Sequence, residues 1–67
     1  MLEVTVNGTT RQVEVGMTIL QFLESRNLLP RMVVVEHNGV IVPRDRYADV
    51  ELKAGDTLEI VQMMAGG

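Results

Sequence analysis

Two Asn-Gly pairs, Asn7-Gly8 and Asn38-Gly39, each stand between runs of β-forming residues, and they restrict the fold more than anything else in the chain. Asn-Gly is the strongest short-range hairpin signal, because a two-residue turn that matches strand twist needs positive φ at both central positions. Before the first pair, LEVTV sets Leu2, Val4 and Val6 against Glu3 and Thr5. After it, RQVEV sets Val13 and Val15 against Gln12 and Glu14. Alternation with period two marks strands with one buried face. Around the second pair, MVVVEH leads into VIV, and Pro43 ends that strand by removing a ladder donor.

One helix lies between the hairpins. Gly16 breaks the strand, and Thr18 with Gln21 forms a capping-box pattern, each side chain serving the other's backbone amide. Ile19, Leu20, Phe22 and Leu23 then recur at helical spacing as one apolar stripe. Asn27 suits a left-handed terminator, and Pro30 forbids continuation. Past the second hairpin, RDRYAD reads as polar and irregular, and VELKAGD as a short extended piece with a Gly-Asp turn. TLEIVQM reads as the last strand, with Leu58 and Ile60 sharing a parity.

The element order is strand, strand, helix, strand, strand, strand. A single layer cannot bury its own apolar side, so the helix must cover one face of a mixed sheet. The expected class is α+β, a β-grasp roll of four to five strands with one helix packed on one face. In that arrangement the first and last strands run parallel at the sheet centre. Residues 1–62 form the domain, and residues 63–67 form a flexible C-terminal tail.

A chain of 67 residues is near the lower limit for unaided folding, and such scaffolds often rely on disulfides or a metal. This one has no cysteine and a single histidine, His37, so its stability rests on a hydrocarbon core. At 46% hydrophobic it has the material, mainly Val, Leu and Ile, with Phe22 and Tyr47 as the aromatic residues. Six basic residues are scattered against a net charge of −3, which argues against nucleic acid as a partner. Neither a signal-peptide pattern nor an apolar run near the ~18 residues of a membrane span appears. The expected location is the cytoplasm.

Catalytic chemistry is sparse. His37 ends a strand with no orienting partner identifiable. Met1, Met17, Met32, Met63 and Met64 suit core filling or adaptable contact better than metal ligation, since no cysteine and no second histidine support them. Asp45, Asp49, Glu51 and Asp56 read as a solvated acidic rim. The chain is expected to bind no cofactor or metal and to be no enzyme in its own right.

The remaining candidate is the end of the sequence, Met63-Met64-Ala65-Gly66-Gly67. Fully extended, those residues span roughly 15–18 Å, enough to enter another protein's active site. Gly66 and Gly67 lack a Cβ, so enzyme backbone can close around them. A terminal carboxylate is ionised at neutral pH and is a poor acyl donor until a partner with ATP converts it to an acyl-adenylate. Val34, Val61 and Met63 have the parity of the face opposite the helix. They form an exposed contact patch there, unless a helix edge or loop covers them.

The stretches NG, TILQFLE, NGVIVPRDRYAD, AGDTLEIV and MAGG, taken in order, resemble the ubiquitin-like sulfur carriers, and within them the ThiS carriers of thiamine thiazole synthesis. Small subunits of molybdopterin synthase tend to be longer and to carry prolines before Ala-Gly-Gly, where this chain has Gln62-Met63-Met64. The resemblance implies a protein co-substrate. A ThiF-like adenylyltransferase of the ubiquitin-activating type, using ATP and Mg, would adenylate Gly67. Sulfur from cysteine, delivered through a desulfurase, would make the Gly67 thiocarboxylate, and a ThiG-like thiazole synthase would accept that sulfur. Gly66 would give the steric room, and Val34, Val61, Met63, Met64 and Ala65 would meet the partners. Two alternatives stay open. One is a carrier for molybdopterin, tRNA thiolation or cysteine, and the other is a ubiquitin-like binding module with an inactive tail.

Overall fold

A computed structural model describes residues 1–63; Met64, Ala65, Gly66 and Gly67 lie outside the described residues. The strands are β1 (Leu2–Val6), β2 (Thr9–Val13), β3 (Val33–His37), β4 (Val40–Ile41) and β5 (Thr57–Gln62), with the helix α1 (Ile19–Ser25) between β2 and β3. They form one five-stranded sheet in the order β2-β1-β5-β3-β4. β1 runs parallel to β5, with Val6 opposite Leu58, and the other pairs are antiparallel. The expected mixed sheet with a parallel central pair is therefore present, and β5 is its middle strand.

Both Asn-Gly turns take the required positive φ, 49° and 81° at Asn7 and Gly8, 52° and 85° at Asn38 and Gly39. Strand parity then sends Val4, Val13, Val33, Val35, Leu58 and Ile60 to the same side as Ile19, Phe22 and Leu23 of α1, all of them buried. At about 25 cal/mol per Å² of apolar surface, this interface is the main source of stability in a chain without cross-links.

Such a short helix cannot persist on propensity alone, and both of its ends are tied by hydrogen bonds. The Gln21 amide donates to Thr18 Oγ1 (3.1 Å) and the Thr18 amide to Gln21 Oε1 (3.0 Å), the capping box expected from the sequence. The amides of Ile19 and Leu20, which have no partner within the helix, donate to the carbonyls of Val50 (2.9 Å) and Tyr47 (3.0 Å). At the other end Asn27 sits at φ 59°, with Leu28 N–H bonded to the Leu23 carbonyl and Asn27 N–H to the Glu24 carbonyl. That pair of bonds is a Schellman motif.

Three expectations need correction. Val15 does not share the buried face with Val13: β2 ends at Val13 and Val15 is 73% exposed. The cause is a turn closed by Met17 N–H on the Glu14 carbonyl, with Gly16 at φ 91°, which lifts the chain off the sheet toward the helix layer. Tyr47 is not part of a purely polar loop. The 3₁₀ turn at Arg44–Arg46 rotates its ring into the core, and its hydroxyl lies 3.4 Å from the Val33 carbonyl. Burial pushes the Tyr47 phenol above its ordinary pKa.

Asp56 is the third. It is buried rather than part of a solvated rim, and it orients His37, for which the sequence showed no partner. His37 Nε2 donates to Asp56 Oδ2 at 2.7 Å, Lys53 N–H to the same oxygen at 2.8 Å, and Asn38 Nδ2 to Oδ1 at 3.2 Å. Burial alone would raise the Asp56 pKa, but these donors outweigh it and the net shift is downward. The stability this contributes is complete above the ordinary carboxylate range and is lost as pH falls through the depressed value. Thermal midpoints are therefore expected to fall between about pH 5 and 2. Asp56→Asn should lower the midpoint at neutral pH and flatten that acid slope. A wild-type slope in the variant would move the acid sensitivity elsewhere.

Candidate functional site: the open sheet face and the exit of β5

The face of the sheet opposite α1 has no covering layer among the described residues. Val34 and Val61 stand directly opposite each other across β3 and β5, 39% and 62% exposed. Met63, 40% exposed, follows on the same parity, and its amide donates to the Met32 carbonyl at 2.7 Å. The structure thus brings Val34, Val61 and Met63 together as an exposed apolar strip running toward the point where β5 leaves the sheet. Ile41, opposite Glu36 on β4 and 62% exposed, widens the strip. The sequence reading missed Ile41, whose face follows from the hairpin register once the Asn38-Gly39 turn is taken as two residues.

The strip is bordered by charge. Glu36 and Glu59 are paired directly across β3 and β5 on this same face. Like charges in that position destabilise a sheet, so the pair carries a local cost that uncharged residues would avoid. By contrast, Asp49 lies 3.4 Å from Arg46 and Glu51 lies 3.1 Å from Lys53, so half of the expected acidic rim is locally neutralised. The negative border of the patch is Glu36 and Glu59.

Both asparagines of the hairpin turns hold β5 directly. Ile60 N–H donates to Asn7 Oδ1 (2.7 Å), and Asn7 Nδ2 donates back to the Ile60 carbonyl (3.1 Å). The side chain thereby does the work of a further β1 residue after the strand has turned. At the other end of β5, Thr57 N–H donates to Asn38 Oδ1 at 2.9 Å. No sequence rule for turns distinguishes this role from the conformational one.

No cluster of three or more His, Asp or Glu side chains that could hold a metal occurs among the described residues. No helix among the described residues is long and apolar enough to cross a membrane. The sequence profile of the ThiS family aligns with residues 4–67. The chain belongs to the ThiS family.

The relatives extend this assignment. The chain is 38% identical over 66 residues to a thiazole synthase of Paramagnetospirillum magneticum and 32% identical over 66 residues to one of Magnetococcus marinus. Each match covers 98% of this chain, which spans only 20% of those relatives' length. Sulfur carrier protein ThiS of Bacillus subtilis is 42% identical over 50 residues, covering 75% of this chain and 76% of that one. A crystal structure of thiamine biosynthesis protein ThiS from Geobacter metallireducens superposes with a TM-score of 0.83 at 28% identity, covering 98% of this chain and all of that one. The fold is the ubiquitin-like β-grasp of ThiS structures. Of the candidate residues, Val34, Val61 and Met63 lie on the open face, whereas Met64, Ala65, Gly66 and Gly67 fall outside the described residues.

Proposed function

We propose that this chain is a cytoplasmic sulfur carrier for thiazole formation in thiamine biosynthesis, acting as a protein co-substrate. The observation that carries the reading is the ThiS family match, which runs to Gly67. In the proposed cycle a ThiF-like adenylyltransferase binds the carrier with ATP and Mg. A Gly67 carboxylate oxygen attacks the α-phosphorus of ATP, pyrophosphate leaves, and an acyl-adenylate forms. A sulfur nucleophile at the sulfide level, derived from cysteine through a desulfurase, displaces AMP and leaves the thiocarboxylate. A ThiG-like thiazole synthase takes that sulfur, and Gly67 returns to the carboxylate. Apart from the Gly67 carboxylate, the chain's own residues take part in none of the covalent steps. The sheet holds β5 rigid, Gly66 keeps the approach narrow, and the Val34–Val61 strip with Met63, Met64 and Ala65 meets the partner.

The direct test is intact mass. Incubation of the chain with a ThiF-like enzyme, ATP and sulfide should add ~16 Da, the replacement of one oxygen by sulfur, on the last residue. An unchanged mass would favour a binding module with an inactive tail.

The open face has its own test. Val61→Asp puts a charge where an apolar contact is expected, beside Glu59. It should weaken binding to a thiazole synthase, measured by calorimetry, by about tenfold or more. The thermal midpoint should hold within a few degrees, because exposed positions usually contribute less than about 0.5 kcal/mol. Unchanged affinity would remove the strip from the interface.

A further inference from the structure

The helix face carries a second feature, at the same end of the molecule as the exit of β5. A concavity of about 210 Å³ opens between the end of α1 and the β1–β2 hairpin. Phe22, Leu28 and Ile60 contribute its apolar lining, and Arg11, Arg26 and Gln62 contribute polar groups. Arg11 lies opposite Val4, so it points to the buried side of the sheet from an edge strand. An inward-pointing charge on an edge strand can serve merely to discourage edge-to-edge association. That role needs one charge, yet Arg26 arrives at the same concavity from a different element.

Neither guanidinium lies within ion-pair distance of a carboxylate among the described residues, and no acidic side chain lines the concavity. Two uncompensated cations converge here on a chain whose net charge is −3. The backbone adds a third element. Leu58 and Ile60 turn their polar groups toward β1, accepting from Asn7 N–H and exchanging bonds with its side chain. By strand alternation the Gln62 N–H faces the same way, beyond the last β1–β5 pair, Val6 with Leu58.

We propose that this groove docks an extended acidic segment of the protein that receives the tail, a reading that rests on the carrier function above. Carboxylates of the segment pair with Arg11 and Arg26, one apolar side chain enters between Phe22, Leu28 and Ile60, and a backbone carbonyl accepts from Gln62 N–H. Size decides for a protein segment over a small ligand. Small-molecule sites usually enclose roughly 300–1,000 Å³, whereas this concavity accommodates one or two side chains. With the Val34–Val61 strip on the opposite face, the partner would grip the sheet from both sides at the root of the tail.

The test uses full-length chain and the thiazole synthase of the same organism, titrated by calorimetry at low and high salt. Arg11→Glu and Arg26→Glu should each weaken binding about tenfold, and the double variant should also lose much of the wild-type salt dependence. Arg31→Glu, outside the groove, should bind within about twofold of wild type. Amide NMR spectra confirm that the variants fold, and the milder Arg11→Gln and Arg26→Gln pair replaces any that do not. Wild-type affinity in the double variant overturns the proposal, as does failure of the unaltered chain to bind. In the latter case the mass assay on the same sample separates the two readings. A thiocarboxylate that still forms leaves the carrier function standing and removes only the groove, while its absence removes both.

Discussion

Deletion of Gly67 is expected to abolish thiocarboxylate formation while leaving the thermal midpoint within about 1 °C of the full chain. The proposed chemistry needs an acyl carbon at the position an adenylating enzyme reaches, and a shortened chain presents its carboxylate one residue, about 3.3–3.6 Å, too early. A displacement of that size is far larger than the tolerance of a reacting group, for which about 1 Å already costs two orders of magnitude. Stability should not follow, because the contacts among residues 1–63 are all retained, including the Met63 amide bond to Met32. Intact mass after incubation with the activating enzyme reads the first effect, and a calorimetric melt reads the second. A midpoint lowered by several degrees would make residue 67 structural and sink the chemical reading.

Asn7→Ala is expected to lower the thermal midpoint by roughly 10–20 °C. The substitution removes both side-chain bonds to Ile60, whose residue is 9% exposed. A buried amide left without an acceptor costs about 1–3 kcal/mol. Holding alanine at a left-handed φ, 49° here, adds about 1 kcal/mol. Asn7→Gly separates the two contributions, since glycine accepts the backbone conformation but restores neither bond. It should recover less than half of the loss. A drop under about 4 °C in Asn7→Ala would mean that water replaces the side chain at Ile60, and the pin would then carry little.

The elements legible in the sequence are those set by local chemistry. Period-two alternation placed β1 and β5, the Asn-Gly pairs placed both hairpins, and Thr18, Gln21 and Asn27 placed the ends of α1. Parity within β3 and β5 was enough to put Val34, Val61 and Met63 on the face opposite the helix, but that nothing among the described residues covers them is visible only in the fold. What was illegible depends on contacts distant in sequence. Val15 obeys the alternation of β2 but lies past its end, where a turn closed by Met17 takes over. Tyr47 sits among charged neighbours, and only the docking of its 3₁₀ turn against α1 shows it to be core. Asp56 and His37 are 19 residues apart, and nothing local announces their 2.7 Å bond. Asn7 and Ile60, 53 residues apart, are the extreme case. Gly66 and Gly67, on which the proposed chemistry rests, were the easiest to single out, because glycine offers no side chain for packing.

The placement of β5 has a mechanical consequence. In the proposed cycle, a partner that gripped the residues after β5 and pulled along the strand would load it in shear. β5 is bonded along both edges, to parallel β1 on one side and antiparallel β3 on the other. A pull along the axis must therefore shear several bonds at once, instead of peeling them singly as it would from an edge strand. Asn7, bonded to Ile60 from the β1 side, adds to that resistance close to where the load enters the domain.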